Sequence, residues 1–117
     1  MVLCCKGPKL PFKIVGHCIV KYQEDKIFLI GGRQNGLITN QVWILNPFNG
    51  IHKKGPVLNE KREDFACGKM EKNGTILLIV AGGHDSSDKY FEDNLNNSLD
   101  TVEILDPLSE IGWTLGV

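Results

Sequence analysis

The sequence predicts an all-β protein built from two repeats, each of four short antiparallel strands. Three observations carry this. Apolar runs are short and are closed by turn-forming residues. The same landmarks occur twice, in the same order, about 50 residues apart. No window combines a helical period with capping residues.

The landmarks can be read directly. The run Lys26-Ile27-Phe28-Leu29-Ile30 ends in Gly31-Gly32, and Leu77-Leu78-Ile79-Val80-Ala81 ends in Gly82-Gly83, a spacing of 51. Val42-Trp43-Ile44-Leu45 runs into Asn46-Pro47, and Val102-Glu103-Ile104-Leu105 into Asp106-Pro107, a spacing of 60. Gly7-Pro8-Lys9-Leu10 returns as Gly55-Pro56-Val57-Leu58 at a spacing of 48. The extra length of the second repeat falls in the polar stretch after Gly83.

In the first unit, strands are expected over residues 15–22, 26–30, 41–45 and 51–54. The turns are Gln23-Glu24-Asp25, a loop over 31–39, and Asn46-Pro47-Phe48-Asn49-Gly50. In the second, strands are expected over 65–70, 75–81 and 101–105, with a last one around Trp113. Glu71-Lys72-Asn73-Gly74 and Asp106-Pro107 are its turns. Asn and Gly tolerate positive φ and Pro presets the turn dihedral, so these pairs stop a strand for a physical reason. The organisation expected is an end strand and linker over 1–11, one repeat over 12–58 and a second over 59–117.

These residues resemble the kelch repeat. The resemblance rests on the strand closed by two glycines, on the strand entering Asn/Asp-Pro, on the Pro-x-Leu linker followed by basic Arg62, and on the late Trp113. Two kinds of departure occur: Leu45 and Leu105 stand where an aromatic is usual, and the first unit has no late tryptophan. The resemblance implies two four-stranded blades of a β-propeller. Repeats of this length with short, even strands suit that architecture. A ring of such blades needs more than two, so the chain is expected to be part of a larger ring, its remaining blades or a second copy being its neighbours. The 1–10 segment is expected to be the end of a preceding blade.

Composition narrows the function classes. Net charge is −1 over 117 residues, which lacks the basic stripe of a nucleic-acid binder. The longest apolar run, residues 76–81, is too short to cross a bilayer. Residues 1–10 are cut by Lys6, Gly7 and Pro8 before a signal-peptide core can form, so a cytoplasmic setting is favoured. Cys4, Cys5, Cys18 and Cys67 form no zinc-ligand pattern. Four cysteines could form two bridges in an oxidising compartment, but Cys18 and Cys67 sit in apolar strands and are expected to act as small core residues.

His17, His52 and His84 have no nucleophile at useful spacing, so each is expected to be a loop or surface residue. The acidic stretch after His84 lacks the order of a calcium loop. No metal or cofactor is expected. An enzyme of the copper-oxidase propeller type would need Tyr and His ligands together, and Tyr22 and Tyr90 have no such company. A truncated piece without a role of its own is the other alternative.

A protein-binding module, not an enzyme, is therefore the expected function. Strand alternation puts the loops over 33–39, 55–64 and 84–99 on one side. The expected partner-binding residues are Arg33, Gln34, Asn35, Arg62, Asp85, Tyr90 and Phe91, the two aromatics as anchors. Gly31, Gly32, Gly82 and Gly83 are expected to be structural, letting the backbone bend where chains approach. Glu60-Lys61-Arg62-Glu63-Asp64 is expected to be a solvated turn.

Overall fold

Apolar strands separated by turn formers fold here as antiparallel sheets. The computed structural model describes residues 13–85 and 98–116. Eleven strands occur in the described residues and no helix. The first sheet is a meander of β2 (Cys18–Gln23), β3 (Lys26–Ile30), β6 (Val42–Leu45) and β7 (His52–Lys54). The second is a meander of β8 (Ala66–Lys72), β9 (Thr75–Ala81), β10 (Val102–Leu105) and β11 (Thr114–Leu115). All neighbours in both sheets are antiparallel. The predicted all-β class and both four-strand units are present.

One element differs from expectation. The loop over 31–39 contains a hairpin of β4 (Arg33–Gln34) and β5 (Leu37–Ile38), which joins β1 (Ile14–Val15) in a third, small sheet. Its turn is Asn35-Gly36, with φ of 53° and 82°. Two consecutive positive φ values define the tight turn whose twist matches a two-residue hairpin.

Alternation assigns each strand a face. The register pairs Val20 with Phe28 and Phe28 with Ile44, so these side chains lie on one face of the first sheet together with Ile30 and Val42. In the second sheet Leu78 pairs with Leu105 and Val80 with Cys67. These two faces meet, and their buried residues, with Leu58 from the linker and Trp113, form one shared core. Trp113 Nε1 donates to the Pro56 carbonyl at 2.9 Å, so the buried indole keeps a partner. Burial of each large aliphatic chain contributes roughly 1.5–3 kcal/mol.

The packing is head to tail. The Phe28 and Ile44 face of the first sheet is covered by the second sheet. The equivalent face of the second sheet carries Ala66, Ile79, Ala81, Val102 and Ile104, paired across β8, β9 and β10. No sheet covers it among the described residues.

Cys18 and Cys67 correct the expectation of two core thiols. They form a disulfide between β2 and β8, with Cα atoms 6.2 Å apart and a sequence separation of 49. Each lies on the inner face of its sheet, Cys18 beside Ile30 and Cys67 beside Val80. The meeting of the two inner faces, which sequence alone leaves open, brings the sulfurs together.

Candidate functional site

Both glycine pairs sit directly after strands, Gly31-Gly32 after β3 and Gly82-Gly83 after β9, and all four residues have positive φ. Each pair lets the chain turn out of its sheet at the same end of the molecule. Gly32 N–H donates to the Arg62 carbonyl at 2.7 Å, which ties the first pair to the linker. The second pair leads to His84, which forms an isolated bridge with Glu63. Glu63 N–H donates to the His84 carbonyl at 3.0 Å, and His84 N–H to the Glu63 carbonyl at 3.1 Å.

This convergence builds an ion-pair cluster under one surface. Arg33 grips Glu63 with two nitrogens, Nη2 to Oε1 at 2.6 Å and Nε to Oε2 at 3.1 Å. The fork matches the carboxylate and gives a directional pair. That bond holds the guanidinium still more firmly protonated than usual. Arg33 Nη1 also donates to the Gly36 carbonyl at 2.8 Å, which closes the hairpin turn. His84 Nε2 lies 3.5 Å from Glu63 Oε1 and 3.4 Å from Asp64 Oδ2. Asp64 is held at φ 56°, with its N–H donating to the Gly16 carbonyl at 2.9 Å. Burial lowers the pKa of nearby His17, so it adds no charge to the cluster at neutral pH.

Glu63, Asp64 and His84 each offer a possible metal-ligand atom within 4.8 Å of the others. Arg33 already occupies both oxygens of Glu63 and sets its positive charge beside them. Glu63 is therefore already paired, and a cation placed there would meet Arg33.

Gln34 and Asp85, the chain neighbours of Arg33 and His84, help line an open cleft of about 490 Å³, within the range of small-ligand sites. One side comes from the hairpin and the irregular segment leading to β6: Gln34, Asn35, Leu37, Thr39 and Gln41. The other wall comes from Lys61 and Asp85, on either side of the second unit's first two strands. Leu37 is exposed on the rim, while Ile38 turns inward and is buried. Thr39 Oγ1 accepts from Gln41 N–H at 3.0 Å and fixes that wall. Among the described residues the lining is chiefly amide and aliphatic, with one cation and one anion, a chemistry suited to a peptide backbone and its mixed side chains.

Gln34, Asn35 and Asp85 thus line the cleft, and Arg33 braces the hairpin turn through the Gly36 carbonyl. Lys61 was not among the expected binding residues; only the neighbourhood of its loop signalled it. Tyr90 and Phe91 lie outside the described residues. Arg62 is a correction: it is wholly buried and faces inward. Its Nη1 donates to the Gly82 and Thr101 carbonyls at 2.9 and 3.0 Å, and its Nη2 to Thr101 Oγ1 at 2.9 Å and Glu103 Oε2 at 3.0 Å. Glu63 is buried too, so the expected solvated turn is instead a folded linker with only some of its charges in water. His52 stacks edge-on against Trp43 at 5.5 Å. Tyr22 is buried against Phe28 at 5.9 Å, with its ring in the core.

Comparison with models of known protein families and with curated protein sequences finds no match for this chain.

Proposed function

We propose that the chain is part of a kelch-type β-propeller and binds an extended segment of another protein in the cleft that Gln34 and Asp85 help line. The observation that carries this reading is the composition of the cleft from both units: Gln34, Asn35 and Gln41 on one wall, Lys61 and Asp85 on the other. Amide side chains can donate to and accept from a peptide backbone at once. Exposed Leu37 offers an apolar contact at the rim. Binding, not catalysis, fits such a lining, because among the described residues it presents no nucleophile with a base beside it.

Selection from a random peptide library against the full chain tests the cleft. Lys61→Glu together with Asp85→Lys should weaken a selected peptide about tenfold or more, as central contacts of an interface do. Both side chains are exposed, so the melting temperature should hold. Failure to select any peptide, or unchanged affinity in the double variant, removes the cleft from consideration.

The head-to-tail packing supports the propeller half of the reading. The open face with Ile79 and Ile104 matches, position for position, the face with Phe28 and Ile44 that the second sheet already covers. We assign it to a further sheet of the same repeat. Ile79→Lys with Ile104→Lys should reduce concentration-dependent association of the isolated chain in sedimentation. A wild-type chain that stays monomeric at every concentration and melts in one sharp transition would contradict this assignment.

A further inference from the structure

We propose that the Cys18–Cys67 bond is a redox-controlled clamp that holds the two sheets in the arrangement that forms the cleft. It rests, for its binding consequence, on the peptide-binding reading above. The bond joins β2 to β8, one strand from each unit, at the end of each sheet where the glycine pairs emerge. From Cys18 the chain runs back through His17 to Gly16, whose carbonyl accepts from Asp64 N–H at 2.9 Å. Three residues before Cys67 that same Asp64 stands beside Glu63, the carboxylate that Arg33 and His84 hold. The clamp and the ion-pair cluster therefore close one short circuit between the units.

The cleft depends on that circuit. Gln34 and Asn35 belong to the first unit, Lys61 and Asp85 to the second, so relative movement of the sheets separates the walls. Both cysteines are half-buried, not sealed in the core, and a small dithiol can reach a bond at that depth through modest opening. In the reaction the dithiol supplies two electrons and two protons. The S–S bond breaks, two thiols form on Cys18 and Cys67, and the dithiol closes to its own disulfide. A low-molecular-weight disulfide runs the reverse step and removes the same two electrons and two protons.

Redox titration of the full chain with dithiothreitol and its oxidised form tests the clamp. Alkylation and peptide mapping report Cys18 and Cys67 separately from Cys4 and Cys5. Reduction should lower the melting temperature by about 10 °C or more, given what closing a loop of this length contributes. Amide exchange at Glu63 and His84 should accelerate at least tenfold, and affinity for a selected peptide should fall by at least the same factor. Cys18→Ser with Cys67→Ser should reproduce the reduced state and be indifferent to reductant. If mapping shows full reduction while melting and exchange at Glu63 and His84 stay unchanged, the clamp is refuted. If melting falls but exchange and peptide affinity do not, control of the cleft is refuted and only a staple remains. If no peptide binds either form, melting and exchange still decide the clamp, and the failure belongs to the peptide-binding reading. If the cysteines are found as thiols under oxidising conditions, the proposal fails at its first step.

Discussion

Arg62→Ala is expected to destabilise the protein by roughly 3–5 kcal/mol, enough to unfold much of a typical small domain. Arg62 is wholly buried between the two sheets, and so is its partner Glu103. Truncation removes the cation and leaves the Glu103 carboxylate, which Arg62 Nη2 holds at 3.0 Å, without its counter-charge. The Gly82 and Thr101 carbonyls lose their donor in the same step. A buried anion left alone costs far more than the pair contributed, because the desolvation is already complete. Glu103→Leu should be nearly as damaging, since Asn59 N–H at 2.6 Å and Glu60 N–H at 3.1 Å lose their acceptor. The double variant Arg62→Met, Glu103→Leu tests the mechanism. Urea unfolding should show that its cost falls short of the summed single costs by about 2 kcal/mol or more, a coupling expected of residues in one network. Strict additivity would show that the two residues act separately. Where Arg62→Ala does not fold, Arg62→Lys keeps the charge without the fork and should lie between.

The strands were legible because their signals are local. Each of the eight sheet strands expected is found within a few residues, since turn formers such as the glycine pairs, Asn73-Gly74, Asn46-Pro47 and Asp106-Pro107 bound most of them. The β4–β5 hairpin was also written in the sequence, in Asn35-Gly36, but the flanking strands have only two residues each and no alternation to announce them. The gathering of loops on one side followed from strand direction alone, and Gln34, Asn35 and Asp85 do share the cleft.

What was not legible depends on contacts between units. Arg62 reads as solvated because charged residues are rarely buried without a partner, and its partner lies 41 residues away. One sign was available: Glu103 interrupts Val102 and Ile104 at the position equivalent to Trp43, inside a strand otherwise apolar. A carboxylate there needs a cation, and the basic residue after the Pro-x-Leu linker is the nearest repeat landmark able to supply one. The Cys18–Cys67 bond left no such sign. Cys18 and Cys67 are ordinary small residues of two strands until the sheets meet, and only the packed interface puts them in reach.

The glycine pairs carry the other large effect, and the two members of the second pair are not equal. Gly83→Ala is expected to cost about 3 kcal/mol or more, and Gly82→Ala about 1 kcal/mol, because both lie at positive φ but only one is also crowded. Gly82 has φ 74°, and a methyl group there would find its nearest neighbour, the Leu99 carbonyl oxygen, at an ordinary 3.8 Å. Only the left-handed backbone penalty applies. Gly83 has φ 83°, and its methyl would stand 2.5 Å from the Glu63 carbonyl oxygen and 2.8 Å from Phe65 Cβ. The first of these is backbone, and it is the acceptor for His84 N–H at 3.1 Å. Relief by moving Glu63 would break the bridge to His84 and draw the carboxylate away from Arg33. The substitution therefore acts on the cluster as well as on the strand end. Thermal melting should rank the variants as wild type, then Gly82→Ala, then Gly83→Ala. Amide exchange at His84 should rise in Gly83→Ala alone. Equal destabilisation by the two variants would mean that positive φ explains both, and that close approach of the linker to Gly83 contributes nothing.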